Sequence, residues 1–349
     1  MTVPTPSEAE QFSTDAFDSG SSFIVRTSGT TGKPKKALLS AAALRASAIA
    51  SHDFLGGGGQ WLAALSPAVV AGLQVQVRSH LAGYRALLLP GSASPAEFAS
   101  AIAEMTAART YAAVVPLQLQ RLVDAASQNG EILAGLRSLD AILIGGQRLA
   151  PSLLAQATEL GLHTVRSYGA TETGGGCVYD GIGVGDTEVR VEGGEVWISG
   201  SCLADGYLDD DALTAERFTT DDSGRWFHTR DAGEMVDARL SVTGRLDRVF
   251  NSGAVKVSLD EIETVLAELP GWGSAAAVAV DDPIWGERAA LVQLEVEQRL
   301  PQALPFEQVS DILRDRLGVA ATPTKSAVVT EFAVLASGKP DFATLKKLF

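Results

Sequence analysis

Thr27-Ser28-Gly29-Thr30-Thr31-Gly32-Lys33-Pro34-Lys35 is the stretch whose reading decides what this chain becomes. A short apolar run, Ser22-Phe23-Ile24-Val25, precedes it, and an Ala-rich segment with helical spacing begins at Ser40. Its glycines let backbone N–H groups come close to a ligand, its hydroxyls donate hydrogen bonds and its lysines offset negative charge. Together these suit a loop that wraps polyphosphate. It is not a Walker loop. The first glycine of that motif would have to stand at Thr27, and Pro34 replaces the hydroxyl that binds magnesium.

Composition narrows the classes. With 349 residues there is room for two domains and a substantial core. A hydrophobic share of 46% with 20% charged residues is that of a globular protein, and no apolar run approaches the ~20 residues that span a bilayer. Met1 to Gly20 is polar and acidic, without the basic start and apolar block of a signal peptide, so a cytoplasmic location is expected. Two cysteines, Cys177 and Cys202, make no disulfide framework, and four scattered histidines have no metal-ligand spacing, so no zinc site is expected.

The formal charge of −14 argues against a nucleic-acid or anionic-membrane binder. A polyanionic ligand must therefore be met by local cations, of which Lys33, Lys35, Arg245, Lys256 and Lys339 fall inside patterned stretches.

Outward from the loop, helical spacing from Ser40 to His52 stops at Gly56-Gly57-Gly58-Gly59. Strand-like runs at 61–65, 85–89, 111–115, 140–144 and 163–167 alternate with helical ones at 67–81, 95–108, 117–126 and 151–160. Ser94-Pro95-Ala96-Glu97 opens one of these helices with a capping box. The alternation predicts an α/β fold with a parallel sheet. Ligands of such sheets bind beyond the carboxyl ends of the strands, where Gly145-Gly146-Gln147 and Tyr168-Gly169-Ala170-Thr171-Glu172 fall. In the latter, Thr171 can hold a phosphate oxygen and Glu172 a magnesium ion that keeps most of its waters.

From about Asp186 short strands and turns predict a small β unit, with a hairpin over 188–199. After Gly244 the chain reads as a small α+β domain. It has a helix from the Ser258 cap to Leu269, strands at 275–280, 289–297 and 327–330, a helix at 306–317 and a helical tail. The expected domains are a loosely attached arm at 1–20, an N-terminal domain at 21–244 and a C-terminal domain at 245–349.

The opening nonapeptide resembles the phosphate-binding loop of the adenylate-forming superfamily, which holds acyl-CoA synthetases, luciferase-like enzymes and peptide-synthetase adenylation domains. Tyr168-Gly169-Ala170-Thr171-Glu172 resembles a second signature of that family. The resemblance runs over residues 22–349 and implies the adenylate-forming fold. Its large N-terminal domain would be shortened here, because the loop begins at residue 27, much earlier than in most members.

On this resemblance Thr27, Ser28, Gly29, Thr30, Thr31, Gly32 and Lys35 hold the ATP phosphates, and Gly145, Gly146, Gln147, Tyr168 and Gly169 lie along the nucleotide. Trp226-Phe227-His228-Thr229-Arg230-Asp231 makes Asp231 the ligand of the ribose hydroxyls, with Arg230 where glycine is usual. Gly244-Arg245-Leu246-Asp247 gives Arg245 to the ribose or phosphate and makes Asp247 the hinge. Gly253 and Lys256 face coenzyme A, and Lys339 in Ser337-Gly338-Lys339 is the catalytic lysine.

The resemblance implies ATP, Mg2+ and CoA, and a two-step reaction in which a carboxylic acid is adenylated and then passed to a thiol. Segments around Val70-Ala71-Gly72-Leu73, Leu143-Ile144-Gly145-Gly146-Gln147 and Val249 to Val257 resemble the compact o-succinylbenzoate–CoA ligases of menaquinone synthesis. Val69 and Val70 stand where those have a histidine. An o-succinylbenzoate dianion needs a cation or several donors beside apolar walls, for which Arg78, His80 and Ser167 are candidates by chemistry. Two other readings stay open: a ligase for another aryl or acyl acid, or one that loads a carrier protein, and a non-catalytic nucleotide-binding module. The sequence also leaves open whether the protein is a homodimer.

Overall fold

Successive residues of a strand point to opposite faces, and in the central sheet both faces are apolar. Leu62, Ala112, Val114, Ile142 and Ile144 pack with Phe98, Leu119, Leu122 and Leu153 on one side. Trp61, Ala63, Tyr111, Ala113 and Leu143 pack with Val75 and Tyr179 on the other. The computed structural model describes residues 7–8, 12–27, 35–333 and 340–349, and among these the chain divides into two compact units. One ends at Thr229 and takes back 235–241; the other comprises 230–234 and 242–349.

The first unit holds a seven-stranded sheet in the order Ile182–Gly183, Gly175–Tyr179, Thr164–Ala170, Ala141–Ile144, Thr110–Val114, Gln60–Ala63, Leu87–Leu88. The last five are mutually parallel, while Gly175–Tyr179 folds back antiparallel on Thr164–Ala170. The helices between them start where the sequence places stops and caps. Ser94 and Glu97 close the capping box of Pro95–Ala103, and Pro116 and Pro151 occupy first helical positions, where a missing N–H costs nothing. A further helix, Gly130–Arg137, was not expected; the Asn129 side chain caps it by accepting from the Glu131 and Ile132 N–H groups.

A second sheet pairs Ser22–Thr27 with Lys35–Ser40 as an antiparallel hairpin, Thr27 opposite Lys35, and adds Gly206–Tyr207 on the other edge of Lys35–Ser40. Ser40 then caps the helix Ala41–Phe54. The small β unit forms as expected: Glu188–Glu192 and Glu195–Ser199 make a two-residue hairpin whose Gly193 and Gly194 both take positive φ, 57° and 86°. Part of the expected arm is packed. Thr14–Asp18 is a helix whose buried Phe17 meets Phe12, Phe23 and the His80 ring. Three aromatic rings outweigh the polar composition of that stretch.

In the second unit Val249–Ser252, Val255–Ser258, Ala276–Asp282, Gly286–Leu294 and Lys325–Val329 form one sheet. Leu259–Leu266 and Phe306–Leu317 cover one face through Ile262, Leu266, Val309 and Leu313. Leu345 and Phe342 of the C-terminal helix Phe342–Lys346 cover the other. The strand expected at 289–297 is displaced: it spans Gly286–Leu294, and Glu295–Gln298 is helical. Among the described residues no helix is long and apolar enough to cross a membrane.

Candidate active site

The residues expected to act divide between the two units, and each group is described within its own. In the first, Tyr207 joins the segments on which the polyphosphate reading rests. Gly206–Tyr207 lies on Lys35–Ser40 with Tyr207 opposite Ala37, an alignment extended by N–H donation from Asp205 to Leu38 O and from Leu208 to Lys36 O, both 2.8 Å. From that strand the phenol donates to Glu172 Oε1 at 2.6 Å, and the ring centre lies 5.7 Å from Lys35 Nζ. The end of the opening loop and the carboxylate of the second signature therefore meet at one side chain. Tyr207 and Glu172 are both buried. Burial, then the neighbouring Glu172 charge, pushes the phenol's pKa well above its ordinary value, so it remains a proton donor.

The turn that presents Thr171 and Glu172 is tightly determined. Tyr168, Gly169 and Ala170 belong to the strand Thr164–Ala170, and Thr171–Thr173 is a single 3-10 turn closed by Gly174 at φ 61°. Thr173 Oγ1 accepts from the Ala170 N–H at 2.8 Å and donates to Gly175 O at 2.7 Å. Gly174 O accepts from Gln74 Nε2 at 2.7 Å and from Ser47 Oγ at 3.3 Å, which ties the turn to two helices. Ala204 N–H donates to Glu172 O at 2.8 Å. Gly169 is required for contact: a Cβ there would lie 2.2 Å from Gly175 O.

Gly145 follows the strand Ala141–Ile144, donates to Val114 O at 3.2 Å and lies against Ser167; Gln147 is exposed. Ser167 stands opposite Tyr179 in the register of its sheet. Arg78 reaches the same tyrosine, Nη2 donating to its hydroxyl at 3.0 Å, beside Ser51 Oγ at 2.7 Å, with the guanidinium 4.8 Å over the Trp61 ring. Arg78 is buried and, among the described residues, pairs with no carboxylate; burial lowers its pKa, which Tyr179 partly counters. The fold thus brings Arg78 and Ser167 to Tyr179. His80, two residues along the helix Val70–Leu81, faces away and meets Asp18 at 3.1 Å.

In the second unit Asp231, Arg245 and Asp247 form one ion group. Arg245 Nη1 lies 3.1 Å from Asp231 Oδ1, while Nε and Nη2 engage Asp247 at 2.8 and 3.1 Å. Burial opposes the charge of Arg245, but the hydrogen bond to Asp247 and the charges of Asp231, Asp247 and Asp260 outweigh it, and its pKa lies above the ordinary arginine value. Asp260 anchors the segment by accepting from the Arg245 N–H at 2.7 Å and from Arg248 Nη1 at 2.6 Å. Arg230, where glycine was the expected residue, holds φ at 62°, a left-handed conformation that glycine adopts without strain. Gly253, also positive at 62°, turns the hairpin that carries Lys256, and its N–H donates to Trp285 O at 2.7 Å.

Residues 28–34 and Lys339 lie outside the described residues, as does the side chain of Thr27. Sequence reasoning missed Tyr207, Gln74 and Asp260. The first two act through partners far away in the chain and carry no local pattern. Asp260 could have been found, because it follows the Ser258 cap in the first turn of a helix.

The model of the "AMP-binding enzyme" family matches residues 12–191, and that of the "AMP-binding enzyme C-terminal domain" matches residues 261–339. A protein of Mycobacterium tuberculosis named "Probable 2-succinylbenzoate--CoA ligase" is 36% identical over 342 residues, 96% of this chain and 86% of that one. Among solved structures, a variant of Escherichia coli MenE with bound OSB-AMS is 27% identical, with a TM-score of 0.72 over 93% of this chain and 68% of that one. The o-succinylbenzoate CoA synthetase from Bacillus subtilis, in complex with the acyl-adenylate intermediate OSB-AMP, has a TM-score of 0.81 over the same shares at 24% identity, a likeness of fold. From matched domains in both units and a relative alike along nearly its whole length, the chain belongs to the AMP-binding enzyme family.

Proposed function

We propose that the protein is an AMP-forming acid–CoA ligase that converts o-succinylbenzoate, ATP and CoA to o-succinylbenzoyl-CoA, AMP and pyrophosphate through an acyl adenylate. The observation that carries this reading is the meeting of Lys35 and Glu172 at Tyr207, in a chain similar to proteins named as 2-succinylbenzoate–CoA ligases.

The substrate carboxylate would attack the ATP α-phosphorus, expelling pyrophosphate. Lys35 and the loop at 27–32 offset charge on the phosphates, and Thr171 donates to a phosphate oxygen. Glu172 fits a magnesium ion: it is a single buried carboxylate with one oxygen fixed by a neutral donor, suited to an ion that takes its other ligands from water and phosphate. When bound, that ion would neutralise the developing phosphate charge. Asp231 accepts from the ribose hydroxyls, which a carboxylate can do twice, and Arg245 is already aimed beside it.

Arg78, with Tyr179 and Ser167, would receive the acid's second carboxylate; its buried charge, which pairs with no carboxylate among the described residues, suits an anion. In the second step CoA sulfur attacks the acyl carbon and releases AMP, with Gly253 and Lys256 on the CoA side, Asp247 as the hinge and Lys339 reserved for adenylation. Catalysis is then mainly the positioning of two anions that repel in water. A cytoplasmic location belongs to the same proposal.

A panel of aryl and aliphatic acids assayed for pyrophosphate release, with and without CoA, tests this reading. o-Succinylbenzoate should be the best substrate and CoA should carry the product. Preference for another acid, transfer only to a carrier protein, or ATP binding with no release for any acid would overturn it.

A further inference from the structure

The carboxylate of Glu172 does not stand alone: a neutral phenol from a different sheet grips one of its oxygens at 2.6 Å, while no described residue bonds Oε2. That phenol sits on the strand that the opening hairpin extends, opposite Ala37 and two positions from Lys35. Among the described residues no other side chain bonds the Glu172 carboxylate, since the hydrogen bonds of Thr173, Gln74, Ser47 and Ala204 act on the backbone of the turn.

Resting on the metal-ligand reading of Glu172, we propose that Tyr207 is a positioning residue for adenylation, holding one oxygen of Glu172 so that the other is presented to the magnesium of the nucleotide. A phenol suits the task because it is neutral. A lysine in its place would compete with the metal for the carboxylate, and a second carboxylate would repel the first. The ring adds a constraint on Lys35, whose ammonium lies 5.7 Å from its centre. One residue thus sets the spacing between the cation that meets phosphate and the anion that meets the metal.

Tyr207→Phe removes only the hydroxyl and keeps the buried ring. Calorimetric titration of Mg2+ into the full-length protein with saturating ATP should show an affinity weakened about tenfold, the worth of a lost hydrogen bond to a charged group, while ATP binding without metal is unchanged. Adenylation should fall by a similar factor, and CoA transfer from preformed acyl adenylate should proceed at the parent rate, which also shows that the variant is folded.

Parent values for Mg2+ affinity and adenylation, or an equal loss in both half-reactions, would overturn the proposal. Glu172→Gln in the same titration separates the two layers. If it leaves Mg2+ affinity intact, the metal reading fails and Tyr207 loses its role with it. If it weakens Mg2+ affinity where Tyr207→Phe does not, the role of Tyr207 alone falls.

Discussion

Arg245 Nη1 lies 3.1 Å from Asp231 Oδ1, so a guanidinium and a carboxylate fourteen residues apart form one unit. Asp247 completes it from the other side. A ribose that displaces Arg245 from Asp231 would find the acceptor already oriented, and the arginine still held by Asp247.

Asp231→Asn replaces a double acceptor with a mixed donor and acceptor. The KM for ATP is expected to rise about tenfold, with little loss of stability because the pair is partly exposed and such pairs contribute at most ~1 kcal/mol. Steady-state kinetics with denaturant unfolding checks both, and an unchanged KM would remove Asp231 from the nucleotide site.

Arg230 tests a different cost. At φ 62° an arginine is strained where glycine is not, so Arg230→Gly should be tolerated within about 1 kcal/mol, and the β-branched Arg230→Val should lose ~1–2 kcal/mol. Urea unfolding of the two variants would refute this ordering if the glycine proved the less stable.

Much of the architecture could be read from the chain. The capping box at Ser94 and Glu97, the prolines at first helical turns and the helix Phe306–Leu317 all have local causes that the folded molecule respects. The misreadings have physical reasons. Gly130 and Gly135 weaken the helical pattern of Gly130–Arg137, and the cap at Asn129 rescues it. Thr14–Asp18 looks polar until Phe17 finds Phe23 and His80. In the site, Thr171 and Glu172 stood out as a run of adjacent functional groups, whereas Tyr207 is one aromatic residue in a turn-like stretch. Its meaning comes from pairing with Lys35–Ser40, which no local window contains.

His52 predicts an acid-sensitive fold. Burial first, and then the Arg78 charge, lower its pKa below the ordinary 6.5 despite a hydrogen bond to the Arg78 backbone and the charge of Asp53. The unfolded chain therefore takes up the proton first. This contribution is complete above about pH 6.5 and is lost as pH falls through the folded-state value, by at most ~1.4 kcal/mol per pH unit. Unfolding free energies of the parent and His52→Gln between pH 7.5 and about 5 check it; parallel curves would contradict it.

Arg248 binds Asp260 and both oxygens of Glu263, and its guanidinium stacks 3.8 Å from the centre of the Phe342 ring. Arg248→Met leaves two carboxylates without their cation and should cost about 3 kcal/mol. Glu263→Gln, which keeps the shape and hydrogen-bonding capacity, should cost less. Equal losses in urea titrations would mean that packing, not charge, holds this corner.

The central claim is that this chain joins an acid to AMP, and withholding CoA tests it most directly. Incubated with o-succinylbenzoate, ATP and Mg2+, the protein should accumulate o-succinylbenzoyl-AMP, detected by mass spectrometry in an amount matching the pyrophosphate released. Absence of that adenylate, with ATP left intact while bound to the protein, would contradict the account.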